Sequence, residues 1–161
     1  MPITPTFIAD VHLGKLARLL RLLGMDTIYN NAYNKKALLD LALIDNRILL
    51  SKDGTFAKHP DVSFFQISSQ EPMMQLRQVA DHFPFNHEKL RPFSRCLRCN
   101  GILHVVLKQD ITANLLLNTQ TWYHDFWQCS HCRQVYWKGS HYERMLEMIR
   151  PFLNQNDAAG L

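Results

Sequence analysis

The chain has 161 residues, is 47% apolar and 20% charged, and carries a formal net charge of +4. Such a composition describes a globular protein, one domain or one domain with a small module, and excludes a disordered tail, a collagen-like fibre and a low-complexity linker. No apolar run reaches the roughly 18–20 residues of a membrane span, and Met1-Pro2-Ile3-Thr4 has no basic segment leading into an apolar stretch, so a cytoplasmic protein is expected.

The charge excess is local. Residues 1–60 hold eight Lys/Arg against five Asp/Glu, residues 61–95 four of each, and residues 96–161 six against five. Should the four cysteines bind zinc as thiolates, the total falls to about +2. Placement therefore matters more than the sum.

Thr6 to Ala9 is a short apolar run closed by Asp10 and predicts a buried strand. Leu13, Leu16, Ala17, Leu20 and Leu23 recur at helical spacing until Gly24 ends the helix. Met25 to Tyr29 predicts a second strand, and Asn34 is placed to cap a helix over residues 35–45. Arg47 to Ser51 predicts a third strand, closed by Lys52-Asp53-Gly54, and Val62 to Ile67 a fourth. Pro72 suits the first turn of a helix whose apolar face is Leu76, Val79, Ala80 and Phe83. Buried strands alternating with helical crossovers predict an α/β domain over residues 1–91, with a mostly parallel sheet and helices on both faces. Pro84 to Pro92 breaks every periodicity and reads as a linker to a module over residues 92–161. There, His104 to Lys108 predicts a strand, residues 110–117 a helix, and Tyr142 to Ile149 a last helix that Pro151 helps to end.

Cys96-Leu97-Arg98-Cys99 and Cys129-Ser130-His131-Cys132 are two C-x-x-C pairs separated by 29 residues. Each spacing makes a tight knuckle whose thiolates converge, and two knuckles complete tetrahedral Zn²⁺ coordination. A redox dithiol needs only one such pair. A closed four-thiolate site holds a fold together and does no chemistry, and His131 is expected to lie beside it without binding the metal, either facing solvent or supporting the ligands. Trp122, Tyr123, Phe126, Trp127, Tyr136 and Trp137 are either the small core of this module or a surface that stacks bases.

Asp10 and Asp53 each follow a predicted strand, at the edge where open parallel sheets bind ligands. Two carboxylates there can converge on Mg²⁺ or Mn²⁺ for phosphodiester hydrolysis, or each can simply cap a turn. Lys15, Arg18 and Arg21 fall on one side of the first helix, as a phosphate-tracking stripe or as a solvated face.

The run from Phe7-Ile8-Ala9-Asp10-Val11-His12-Leu13-Gly14-Lys15 to Leu23-Gly24-Met25-Asp26-Thr27 resembles the opening of the Mut-seven C-terminal RNase family. Arg47-Ile48-Leu49-Leu50-Ser51-Lys52-Asp53 resembles that family's later strand, ending hydroxyl–basic–Asp. Pro92-Phe93-Ser94-Arg95-Cys96 through Cys99-Asn100-Gly101 is similar to its first knuckle. Cys129 to Cys132 with Val135-Tyr136-Trp137-Lys138-Gly139-Ser140-His141 is similar to its closing signature. The resemblance implies a PIN-like domain followed by a zinc ribbon, and a ribonuclease in which Asp10 and Asp53 bind metal beside Ser51. The chain departs from the pattern before the Leu-Leu of the second helix, where acidic residues are usual and Asn34-Lys35-Lys36-Ala37-Leu38-Leu39 stands instead. Asp40 and Asp61 are the nearest acidic substitutes, although the helical phase of Asp40 points it to solvent. The expected function is therefore a Mg²⁺- or Mn²⁺-dependent RNase whose zinc ribbon helps to hold single-stranded RNA. The alternatives are a non-catalytic RNA-binding or adaptor protein on the same fold, and a protein-interaction module.

Overall fold

The computed structural model describes residues 4–83, 85 and 87–153, the side chain of His87 excepted. Four parallel strands, β1 (Phe7–Ala9), β2 (Thr27–Tyr29), β3 (Ile48–Ser51) and β4 (Phe64–Gln66), lie in the order β2-β1-β3-β4. A parallel sheet must be covered on both faces, and successive residues of β1 point to opposite ones. Phe7 and Ala9 meet α1 (Gly14–Leu22) and α3 (Pro72–His82), which bury Leu16, Leu20, Leu76 and Val79. Ile8, on the other face, packs with Leu49 and Phe56 under Leu38 and Ala42 of α2 (Lys35–Ile44). Asn34 caps α2 as its position foretold, its Oδ1 accepting from the Ala37 N–H at 2.9 Å.

A 3-10 turn, Gly54–Lys58, joins β3 to β4 without a full helix, in keeping with the two successive strands expected there. One connection differs from the sequence expectation. The segment after α3 is no free linker, because Phe85 and Leu90 are buried in the core beneath α1 and α3. Two isolated apolar anchors leave no period to detect. Pro84 and Asn86 of that segment lie outside the described residues, as do residues 1–3 and 154–161. The segment also crosses Gly24, whose φ is +86° and where a Cβ would stand 2.3 Å from the Arg91 carbonyl oxygen. Only glycine meets both conditions.

The second sheet is antiparallel, β5 (Leu103–Val106), β6 (Phe126–Cys129) and β7 (Val135–Trp137), in that order. The helix expected over residues 110–117 is broken into α4 (Lys108–Ile111), a 3-10 turn at Thr112–Asn114, and α5 (Leu117–Trp122). Leu115, Leu116 and Leu117 are consecutive, so they cannot share one apolar face. Leu116 and Leu117 are accordingly exposed. The last helix, α6 (Ser140–Leu153), runs past Pro151 instead of stopping before it. So near the helix end the missing proline N–H removes only one hydrogen bond. Ile149 and Phe152 of α6 enter the core formed by α1 and α3, so the chain's last described helix completes its first core. Among the described residues no helix is long and apolar enough to cross a membrane.

Candidate active site and metal centre

The strand order places β1 beside β3 at the point where the winding of the sheet reverses, the position at which open α/β sheets bind ligands. Asp10 leaves β1 here in extended conformation and is only 5% exposed. Its Oδ1 accepts from the His12 N–H at 2.8 Å, and its Oδ2 accepts from the hydroxyl of Ser51. Ser51 is fully buried at the end of β3, and its Oγ also accepts from the Asp53 N–H at 3.0 Å. One hydroxyl thus ties the Asp10 carboxylate to the backbone that carries Asp53. The Asp53 carboxylate is exposed and accepts from the Thr55 N–H at 2.8 Å. That bond first, then the Thr55 side chain and the Lys35 charge, holds the Asp53 carboxyl below the ordinary carboxylate range.

Lys35 enters this site. Its Nζ lies 3.8 Å from Asp53 Oδ2 and 4.6 Å from the centre of the Phe56 ring, and it donates to the Thr55 hydroxyl. Lys36 does not enter, since it pairs with Asp40 along the outer side of α2. Asp40 is engaged by Lys36 and has no hydrogen bond or ion pair with Asp10, Ser51 or Asp53 among the described residues. Asp61 sits exposed in the turn before β4, with no ion pair among the described residues. Asp10 and Asp53 are the carboxylates that Ser51 links, and Mg²⁺ is commonly held by one or two carboxylates, waters and the substrate phosphate. Asp10 and Asp53 meet that minimum, with an ammonium group competing beside one of them. Thr55 was not foreseen, although Asp53-Gly54-Thr55 has the pattern of an Asx turn.

The four cysteines form the group best suited to a metal. All are free thiols, and their sulfur atoms lie within 4.8 Å of one another. Cys96 is 3.5 Å from Cys132 and Cys99 is 3.4 Å from Cys129, near the roughly 3.8 Å edge of a tetrahedron with Zn–S bonds of about 2.3 Å. The knuckles are alike. Asn100 and Arg133 both have left-handed φ, +73° and +63°, and their N–H groups return to the carbonyls of Cys96 and Cys129. Gly101 passes so close that a Cβ would stand 2.7 Å from Cys129 Sγ. Burial raises the Cys99 thiol to about 12. Burial opposes ionisation at Cys129 too, but the Cys132 and His131 N–H groups bring it down to about 7. Tyr136 supports the site from outside, its hydroxyl 3.1 Å from Cys96 Sγ while it accepts from the Leu97 N–H at 3.1 Å. His131 is exposed and outside the ligand set, as expected.

The predicted basic stripe divides. Lys15 and Arg18 are exposed, but Arg21 is 2% exposed and cannot share a solvated face with them. Its Nε donates to the Thr27 carbonyl at 2.9 Å, and its Nη1 to the Leu97 and Arg98 carbonyls at 3.1 and 3.2 Å. Arg21 therefore fastens α1 to the first knuckle. Asp26 makes the second fastening. Its carboxylate accepts from Arg47 at 2.7 Å and Asn100 at 2.8 Å, with Arg95 at 3.4 Å. The recess along this junction, about 640 Å³, is bordered by the exposed Lys15, Arg18 and Arg98, with the buried Arg21 also in its lining. Arg98 was not foreseen, because only the folded contact between the first knuckle and α1 brings it beside Lys15 and Arg18.

Fold and site together define a parallel α/β domain with carboxylates at its switch point and a four-cysteine metal module docked on its first helix. The family described as the Mut7-C RNAse domain matches residues 5–149, and the chain belongs to that family. No curated protein and no solved structure matches it significantly. Membership gives the chain a nuclease-like role.

Proposed function

We propose that this protein is a ribonuclease that hydrolyses phosphodiester bonds of single-stranded RNA at Asp10 and Asp53, with Mg²⁺ or Mn²⁺ and a structural zinc. One observation carries the proposal: the Ser51 hydroxyl joins Asp10 to the Asp53 backbone at the carboxyl ends of adjacent parallel strands. Asp10 and Asp53 would hold the divalent ion, which when bound would activate water and neutralise charge on the phosphate. Asp10 and Asp53 bind and orient, and Ser51 is a positioning residue. Lys35, beside Asp53, holds the scissile phosphate but weakens the hold on a divalent ion. Lys15, Arg18 and Arg98 take backbone phosphates along the recess. Four reduced cysteines fit a cytoplasmic compartment.

The lysine also favours a second reading, an RNA-binding protein with little or no cleavage. Cleavage of a labelled single-stranded RNA separates the two. The wild type should cut slowly, faster with Mn²⁺ than with Mg²⁺, and Asp10→Asn should abolish cutting. Lys35→Glu should raise the rate, whereas Lys36→Glu, on the outer face, should not. Cleavage that persists in EDTA and in Asp10→Asn would end the metal-carboxylate proposal.

A further inference from the structure

The aromatic residues of the second module divide by strand alternation. Phe126 is buried, and its neighbour on β6, Trp127, points to the opposite face, directly across from Tyr136 of β7. That face does not close into a core. A cavity of about 250 Å³ opens there, lined by Trp127 and Tyr136 of the sheet together with Phe93 and Tyr142. Phe93 and Tyr142 pack ring to ring at 4.1 Å. Phe93 holds a left-handed φ of +58°, and its N–H donates to the Leu22 carbonyl at 3.1 Å. A large residue in that conformation stores strain, and such strain gathers at ligand sites.

Charge selects among occupants. The exposed Lys138 lies 5.5 Å from the Trp127 ring and 5.6 Å from the Tyr142 ring, with no ion pair among the described residues. The other charged lining residue, Arg95, is already paired with Asp26, and no carboxylate lines the cavity. A cationic ligand is therefore repelled, and a flat aromatic ligand carrying negative charge is favoured. The cavity shares Leu97 and Tyr136 with the basic recess, where Lys15, Arg18 and Arg98 likewise have no ion pair among the described residues. The two cavities are thus contiguous at Leu97 and Tyr136, so that one strand could lay phosphates in the recess and a base in the cavity.

We propose that this cavity is a nucleobase pocket, which takes one unstacked base of single-stranded RNA among the rings of Trp127, Tyr136, Phe93 and Tyr142 and places the adjoining phosphate on Lys138. The proposal rests on the RNA reading above and extends it to a site distant in sequence from Asp10 and Asp53.

The test titrates the full, zinc-loaded chain with adenosine 5′-monophosphate, adenosine and inorganic phosphate, read by calorimetry and tryptophan emission. The monophosphate should bind saturably and more tightly than either fragment. Tyr142→Leu should weaken both adenosine and its monophosphate by about fivefold or more, the lower end of base stacking on an aromatic ring. Lys138→Gln, a change at an exposed side chain, should weaken the monophosphate alone. No saturable binding of the monophosphate, or binding indifferent to both substitutions, overturns the pocket. The two proposals fail separately. RNA cleavage without monophosphate binding removes the pocket, whereas monophosphate binding without cleavage supports the pocket and removes the nuclease.

Discussion

Replacing Arg21 by methionine tests whether the arginine is a fastening or a phosphate contact. Methionine keeps much of the aliphatic stem but removes every donor. The Thr27 carbonyl, whose bond from Nε is fully buried, is then left without its partner, at a cost of about 1–3 kcal/mol. The Leu97 and Arg98 carbonyls share one Nη1 and are partly accessible, so water can replace that donor at a net loss of about 1 kcal/mol. The total, about 3 kcal/mol, corresponds to a fall in Tm of about 6–12 °C for a chain of this size. The positive charge beside Cys96 and Cys99 is lost as well, so zinc should pass to a chelator faster than from wild type. Thermal melting and chelator competition give both readouts. An Arg21→Met protein that melts within a degree or two of wild type and keeps its zinc, but binds RNA with a shallower salt dependence, would refute the buried-fastening argument and restore Arg21 to the phosphate stripe.

The purified protein should contain about one zinc per chain, since four thiolates saturate one ion, and Cys99→Ser should lose it and destabilise the second sheet, as metal analysis and circular dichroism would show. Replacing Lys15, Arg18 and Arg98 by glutamine should leave Tm nearly unchanged while reducing the slope of log binding constant against log salt by up to about two, the counterion release of three phosphate contacts on a single strand. Asp26→Asn should lower stability by about 2 kcal/mol at neutral pH, since it removes charge from bonds to Arg47 and Asn100. Burial raises the Asp26 carboxyl, but those bonds and Arg95 bring it below its ordinary value. Its contribution is therefore present above about pH 4 and lost as pH falls through the lower folded value, so the gap between wild type and variant in pH-dependent melting should close in acid.

The elements that could be read from sequence were those whose signals are local. Asn34 declares a helix start because its side chain reaches only three residues, and each C-x-x-C pair declares a knuckle within four. Strand ends at Asp10 and Ser51 were visible as the ends of apolar runs, which located the candidate site without its connecting hydroxyl. Arg21 was misplaced for the opposite reason. On α1 alone it follows Arg18 by one turn, and what buries it is a knuckle whose carbonyls lie 76 and 77 residues away. The lysine pair was ambiguous for a related reason. Adjacent helical residues point in different directions, and only Phe56 and Asp53, brought in from beyond β3, select Lys35. The helix over residues 110–117 failed on composition, because three successive leucines raise hydrophobicity without specifying a face.

The same long-range contacts would let a closed four-cysteine metal centre govern the proposed RNA recognition. Four thiolates and one divalent ion leave a charge of about −2 beside a surface proposed to attract phosphate. Left alone, that charge would cancel much of the pull of Lys15, Arg18 and Arg98. Arg21 is buried against the knuckle, where burial disfavours its charge while Cys99 and Cys96 favour it; it offsets the thiolates from within, and Lys15, Arg18 and Arg98 have no ion pair among the described residues. Tyr136 acts on the other side, its hydroxyl on Cys96 and its ring in the wall of the proposed base pocket. Loss of zinc would release Cys96, and with it the tyrosine that shapes the pocket and the Leu97 carbonyl that anchors α1. Zinc removal should therefore weaken nucleotide and RNA binding together, although no ligand touches the metal, whereas neutralising Lys138 should affect the pocket alone.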